Sequence, residues 1–293
     1  MASAGSNAVN WPSLTLLSQS ILSGIFIGSL YGLLGLGLGL SWGLLKLINL
    51  AHFAFAFLAA YLCYQLSSVG GMDPLATLAI VVPLFFALGA ALHWIMSRFA
   101  LTPLNSLLLT FGLTAIVEAT IQWIWTADFR RLQSHYADQK FRIGELFVPV
   151  PELITLILAV SLSFGVWALL RFTDLGRALR AAAQDAPVAA SFGVNERLHG
   201  IVLAGTCSAL AAVAGVCLAL TFTLAPAQIY AWVGVVFAAV MLGGLGSALG
   251  PLVAGIVIGV SEAVTMAITA PSWAPIVSFT LLIVILLLRP GKA

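Results

Sequence analysis

Charge is what this sequence has least of. Twelve Lys and Arg and ten Asp and Glu are spread over 293 residues, 8% of the chain, where a soluble domain carries about 25%. So few charges cannot cover the surface of a soluble fold of this length, which excludes a soluble enzyme and a disordered chain alike. Cysteine is scarce as well. Cys63, Cys207 and Cys217 all fall inside apolar runs, and an odd number so placed excludes a disulfide framework and leaves small packing residues. The four histidines, His52, His93, His135 and His199, are scattered without a helical His partner, so no metal site is expected. There is no Gly-x-x-x-x-Gly-Lys-Ser/Thr phosphate loop and no Gly-x-Ser-x-Gly elbow. The chain is therefore read as binding no ATP of its own and as no hydrolase.

What is present is apolar length. Residues of the AVILMFWYC set make up 61% of the chain and mean hydropathy is +1.11. Apolar runs of about 20 residues are what a bilayer core of about 30 Å requires. They fall at 14–42, 48–66, 75–97, 104–126, 151–171, 198–222, 230–246, 250–269 and 272–289. The fold class is all-α: a polytopic transmembrane helical bundle of about nine spans, with eight to ten defensible. The stretch 240–251, with Gly243, Gly244 and Gly246, reads as a tight hairpin or a re-entrant turn. No Lys or Arg precedes the first run, so that run is expected to be a retained span, not a signal peptide.

Orientation follows from basic residues. With nine crossings and the N-terminus external, Lys46, Arg98, Arg171, Arg177, Arg180, Arg197, Arg289 and Lys292 face inward. Arg130, Arg131, Lys140 and Arg142 face outward, and the C-terminus is cytoplasmic. The whole chain, 1–293, reads as one transmembrane domain with two extramembrane segments. The external one, 128–150, is a mixed-charge loop. The internal one, 173–196, reads as two short helices, with Thr173 or Asp174 capping the first and Asp185 capping the second. Pro187 sits in the second helix's first turn and Gly193 stops it.

Polar groups at membrane depth are candidate function. Thr110, Thr114, Glu118 and Gln122 recur every four residues and make one polar helix face, a candidate translocation path. The alternative is a protonated Glu118 hydrogen-bonded between packed helices. Asn49 and His52, three apart, are expected to share a helix face, and they join the candidate path. Glu262 is expected to be interfacial and solvated. Glycines recur every four residues at Gly24, Gly28 and Gly32, at Gly35, Gly39 and Gly43, and at Gly255 and Gly259. In lipid such spacing serves close helix packing.

Four collinear segments resemble a known family. Ser29-Leu-Tyr-Gly-Leu-Leu-Gly-Leu-Gly-Leu-Gly-Leu-Ser-Trp-Gly43, followed by Ile48-Asn-Leu-Ala-His52, is similar to the start of branched-chain amino acid ABC transporter permeases of the LivH type. Leu175 to Asp185 with Ser191-Phe-Gly-Val-Asn195 resembles their cytoplasmic loop. Val240 to Pro251 resembles their late glycine motif, and Leu286-Leu-Leu-Arg-Pro-Gly291 their C-terminal end. After His52 the family often continues Gly-Glu, whereas Phe53-Ala54-Phe55 stands here.

The resemblance implies the ABC importer permease fold and a transporter subunit in the bacterial inner membrane. It implies a second related permease, forming a heterodimer, two cytoplasmic ATPase subunits that bind ATP and Mg, and an external solute-binding protein. Lipid surrounds the chain, and no nucleic acid is involved. It makes 173–196 the coupling loop, with Arg177, Arg180, Gln184, Asp185, Phe192 and Gly193 toward the ATPase. The expected solute is a branched-chain or other hydrophobic amino acid. Urea or a short amide carried by the same family, a secondary transporter using Glu118, and a homomeric channel are the alternatives.

Overall fold

A helix that is apolar on every face has no solvent side to present and is buried. α1 (Leu14–Leu45) is such a helix, 32 residues or about 48 Å long. Ser13 caps its start by accepting the Leu16 N–H, and from Phe26 onward nearly every residue is shielded. The computed structural model describes residues 13–99, 102–269 and 273–288. α1 ends where Lys46 turns left-handed, φ 56°, placing a cation at the negative end of the helix dipole.

After α1 come α2 (Ala51–Tyr64), extended by a π-helical turn Gln65–Val69, then α3 (Leu78–Arg98) and α4 (Pro103–Trp125). α5 (Val150–Phe172) leads to two short helices, α6 (Asp174–Gln184) and α7 (Ala186–Ser191). α8 (Glu196–Thr221) is followed by a 3-10 turn Pro226–Tyr230, α9 (Ala231–Gly243), α10 (Gly250–Ile268) and α11 (Ala274–Leu288). Among the described residues eight helices are long and apolar enough to cross a membrane. The expected ninth run, 272–289, is α11, whose 15 described residues span about 22 Å. Arg289 and Lys292, two of the eight cations assigned inward, and the Arg-Pro-Gly end of the last motif lie outside the described residues.

The patterning at 128–150 did not anticipate strands, yet a two-stranded antiparallel hairpin forms there. β1 (Lys140–Ile143) pairs with β2 (Leu146–Pro149) around Gly144, which has φ 65°. Among the described residues this short ribbon is the one sheet, and the polytopic helical bundle stands as expected. Gln19 pins it to α1, its amide donating to the Phe147 carbonyl and accepting the Phe147 N–H, both at 3.0 Å.

α1 and α8 form the centre. α1 lies against α10 along a seam of glycines. A Cβ at Gly24 or Gly32 falls 2.5–2.6 Å from the Cα of Val260 or Leu252, and one at Gly259 falls 2.7 Å from the Gly28 Cα. Backbone thus meets backbone, as helix association in lipid favours. Gly35 and Gly39 face side chains of Pro251 and Val240 at 3.1–3.5 Å, a looser fit. α8 holds α2 through Gly215 on the Ala56 carbonyl, and α3 through Ser208 on Gly89.

Within 240–251 the chain makes a tight turn, 244–249, between α9 and α10. Gly244 and Gly246 take φ 89° and 76°, conformations open to glycine. The Gly246 N–H bonds the Gly39 carbonyl at 3.0 Å, and Gly43 packs directly on the Gly246 backbone. The turn therefore closes on the C-terminal end of α1. Helix alternation puts Lys46, Arg98, Arg171, Arg177, Arg180 and Arg197 at this end and Arg130, Arg131, Lys140 and Arg142 at the hairpin end.

Candidate functional site

The polar face of α4 divides in two. Pro103 at the first helical position and Thr102 as N-cap start the helix, and Thr110 and Thr114 follow as buried residues. The Thr110 hydroxyl accepts the Leu50 N–H at 3.1 Å, supplying a partner for the chain entering α2. Thr114 donates to the Thr110 carbonyl at 2.8 Å. One and two turns further on, Glu118 is half-buried and Gln122 is exposed. The Gln122 amide donates to Glu118 Oε1 at 3.1 Å. Tyr230, at the end of the 3-10 turn, lies beside Glu118 and packs against Phe111 with ring centroids 6.3 Å apart. Tyr230 is part of this flank, and sequence spacing could not find it because it comes from a segment more than 100 residues away.

Asn49 and His52 are placed differently from expectation. Helix α2 starts at Ala51, so Asn49 sits in the connector and shares no helix face with His52. His52 is buried, with Nε2 at 3.0 Å from the Leu34 carbonyl, and its ring lies against Gly37. Asn49 Oδ1 is buried without a hydrogen-bond partner, beside a space of about 10 Å³ whose size matches roughly one water.

Glu262 corrects a second expectation. It is not interfacial and solvated but 7% exposed. Tyr31 of α1 donates to its Oε2 at 2.9 Å and Ser278 of α11 donates to its Oε1. Both oxygens are thus partnered, which is how an interior carboxyl is tolerated.

At the opposite end from the hairpin stands a compact platform. Thr173 caps α6 by accepting the Gly176 N–H at 3.1 Å, and Asp185 caps α7 by accepting the Val188 N–H at 3.1 Å. Gly193 ends α7 with φ 86°. Leu179 points inward into a cluster with Leu36, Leu40, Leu170 and Leu203, and Gly176 is pressed against the Leu170 backbone. The platform is wedged under α1, α5 and α8. Its outer surface carries Arg177, paired to Asp174 at 2.5 Å, with Arg180, Gln184 and Asp185 exposed. Phe192 is 85% exposed and Val188 51%, one helical turn apart and on one side.

At the hairpin end the Arg130 and Leu224 backbones exchange hydrogen bonds of 2.9 and 2.7 Å, and the Arg130 guanidinium donates to the Trp125 carbonyl at 3.1 Å. Asp73, before α3, accepts from the Tyr136 hydroxyl at 2.8 Å and from the Leu75 N–H at 2.8 Å. Partial burial pushes the Asp73 carboxyl up, but these bonds, the Ala76 N–H and His135 together hold it below the usual carboxylate range. The bond to Asp73 in turn pushes the Tyr136 phenol up. Among the described residues no three His, Cys, Asp or Glu side chains gather to hold a metal ion.

A bundle with a polar flank on α4 and a platform at one end suits passage of a solute. Residues 20–286 match the family model described as branched-chain amino acid transport system, permease component. The chain belongs to this permease family. It is 26% identical to the high-affinity branched-chain amino acid transport permease LivH of Escherichia coli K12 over 293 residues, covering 93% of each chain. It is 24% identical to BraD of Pseudomonas aeruginosa over 287 residues, covering 93% of this chain and 94% of that one. A probable LivH of Methanocaldococcus jannaschii is 29% identical over 258 residues, 81% of this chain and 78% of the other. No solved structure matches the chain. The protein is thus a multi-pass membrane permease component, and its relatives are named as transport proteins, not enzymes.

Proposed function

We propose that this permease is the transmembrane subunit of an ATP-driven importer in the bacterial cytoplasmic membrane, carrying a branched-chain or other hydrophobic amino acid. The observation that carries the reading is the platform. Two capped helices, tied by Leu179 and Gly176 to the ends of the spans, present Val188 and Phe192 outward. A secondary transporter has no use for such a surface, whereas an ATPase groove gains most from a rigid apolar anchor. Arg177, Arg180, Gln184 and Asp185 form its polar rim. The excess of basic residues at the same end supports a cytoplasmic position for it, with the hairpin and the start of α1 outside.

The path runs along the exposed flank of α4. A carboxyl and an amide held against lipid in the second half of a span are costly, so Glu118 and Gln122 face a partner permease or a water-filled passage shared with it. The solute class follows what LivH and BraD are named for. ATP and Mg bind to separate subunits, and an external binding protein delivers the solute.

The test is uptake of leucine into proteoliposomes holding the assembled permeases, ATPases and binding protein. Uptake that requires ATP and is lost with Phe192→Ala together with Arg180→Ala supports the reading. Uptake that persists without ATP overturns it in favour of a secondary transporter or channel.

A further inference from the structure

Near the hairpin end, α1, α5, α8 and α10 line a half-open cavity of about 240 Å³, just below the range of drug-sized sites. Phe26, Ile27, Leu30 and Met266 form its apolar wall. Its polar groups are Glu152, Thr155 and Thr221, with Ser23 at the edge, and no Lys, Arg or His lines it. Glu152 Oε2 is buried and has no hydrogen-bond partner. Thr155 and Thr221 already donate, to the Pro151 carbonyl at 3.0 Å and the Cys217 carbonyl at 2.8 Å. What these two hydroxyls offer the cavity is therefore lone pairs. Together with a carboxylate they make a site of acceptors without a cation.

We infer that this cavity binds a small apolar molecule through its primary ammonium group, with Glu152 as the charge partner and Thr155 and Thr221 accepting from the remaining N–H groups. The aliphatic part lies against Phe26, Leu30 and Met266. A leucine-sized zwitterion fits if its carboxylate stays at the watery mouth; an acid without an amine is repelled. A lipid acyl chain would match the wall but would leave an unpartnered carboxylate oxygen against hydrocarbon, which is the costlier arrangement. The site is separate from the flank of Glu118. Its solute class rests on the transport reading, but its existence as a binding site does not.

The test is saturation-transfer NMR on the purified full chain in lipid nanodiscs with three probes: L-leucine, 3-methylbutylamine and 4-methylpentanoate. Leucine and the amine are expected to bind and the acid to give no transfer. Glu152→Gln is expected to weaken the amine at least tenfold, and Thr155→Val a few-fold. Ala263→Phe, which fills the cavity and leaves the carboxyl in place, is expected to abolish binding, and it decides the matter should Glu152→Gln fail to fold. Equal transfer to acid and amine, or wild-type affinity in both Glu152→Gln and Ala263→Phe, overturns the assignment. ATP-driven leucine uptake is measured on the same variants in the reconstituted assembly. Amine binding with no wild-type uptake refutes the transport reading alone, and uptake without amine binding refutes the cavity alone.

Discussion

The Tyr31 hydroxyl donates to the Glu262 carboxyl at 2.9 Å across the interface of α1 and α10, 231 residues apart in sequence. Ser278 completes the group from α11. An acidic residue in the eighth span is thus the tie among three helices. Tyr31→Phe leaves one buried carboxyl oxygen without a partner, which costs about 1–3 kcal/mol. The variant is expected to melt several degrees lower in a detergent thermal-shift measurement. Glu262→Gln keeps hydrogen-bonding capacity and is expected to melt closer to wild type. Equal melting for wild type and Tyr31→Phe would show that the tie is energetically empty.

The glycine seam ranks substitutions by what a new methyl meets. Gly32→Ala drives a Cβ into the Leu252 Cα, whereas Gly112 and Gly165 have open space around them. Gly32→Ala is expected to cost about 1–3 kcal/mol through displacement of α10. Gly112→Ala and Gly165→Ala are expected to be neutral, or stabilising by up to about 1 kcal/mol from helix propensity. Gly35→Leu must move the Pro251 and Val240 side chains and falls between. Folded yield after purification checks the order. Gly70→Ala is also crowded, because a Cβ there would meet the Leu66 carbonyl at 2.6 Å.

Thr110 and Gln122 separate structure from path on one helix. Thr110→Val removes the acceptor of the Leu50 N–H and is expected to lower stability by about 1 kcal/mol. Glu118→Gln is expected to cut leucine uptake several-fold while assembly is unchanged. Cysteines at 118 and 122 are expected to react with small aqueous thiol reagents in the assembled transporter, and cysteine at 114 is not. Uniform inaccessibility at 118 and 122 would remove this flank from the path.

Phe192 is exposed, and no span depends on it. Phe192→Ala is expected to leave expression and insertion at wild-type levels while lowering co-purification of the ATPase at least tenfold. Gly193→Pro, at φ 86° where proline cannot follow, is expected to do the same by deforming the end of α7. Normal co-purification for both would end the coupling role.

The outer loop carries a pH dependence whose sign is fixed by Asp73. Its carboxyl is held below the usual range in the fold, so the native state favours the charged form. The tie to Tyr136 is therefore fully present above the ordinary Asp range and is lost as pH falls through the lowered value. The protection factors of amides in residues 134–139, exchange measured relative to the intrinsic rate at each pH, are expected to fall below about pH 4, and Asp73→Asn is expected to show the lowered protection at neutral pH. Protection factors that are flat from neutral to acid pH would refute the tie.

The sequence by itself determined that this chain spans a membrane, roughly where each span begins and ends, and that 173–196 folds as two capped helices. Those features are local. Twenty apolar residues must find hydrocarbon, Thr173 and Asp185 must satisfy the N–H groups just after them, and Gly193 can turn where other residues cannot. The four-residue glycine spacing was legible too, but not which glycines touch backbone and which touch side chains. Tertiary structure alone decided that Thr110 serves α2 while Glu118 stays on the flank, because both look alike along one helix and differ only in what packs opposite. It decided that Glu262 is buried, since its partners come from α1 and α11. It placed Asn49 off the helix and turned 140–149 into a hairpin pinned by Gln19. It formed the half-open cavity at Glu152 from side chains of four helices. Each of these depends on distant segments meeting, which no periodicity in a single segment encodes.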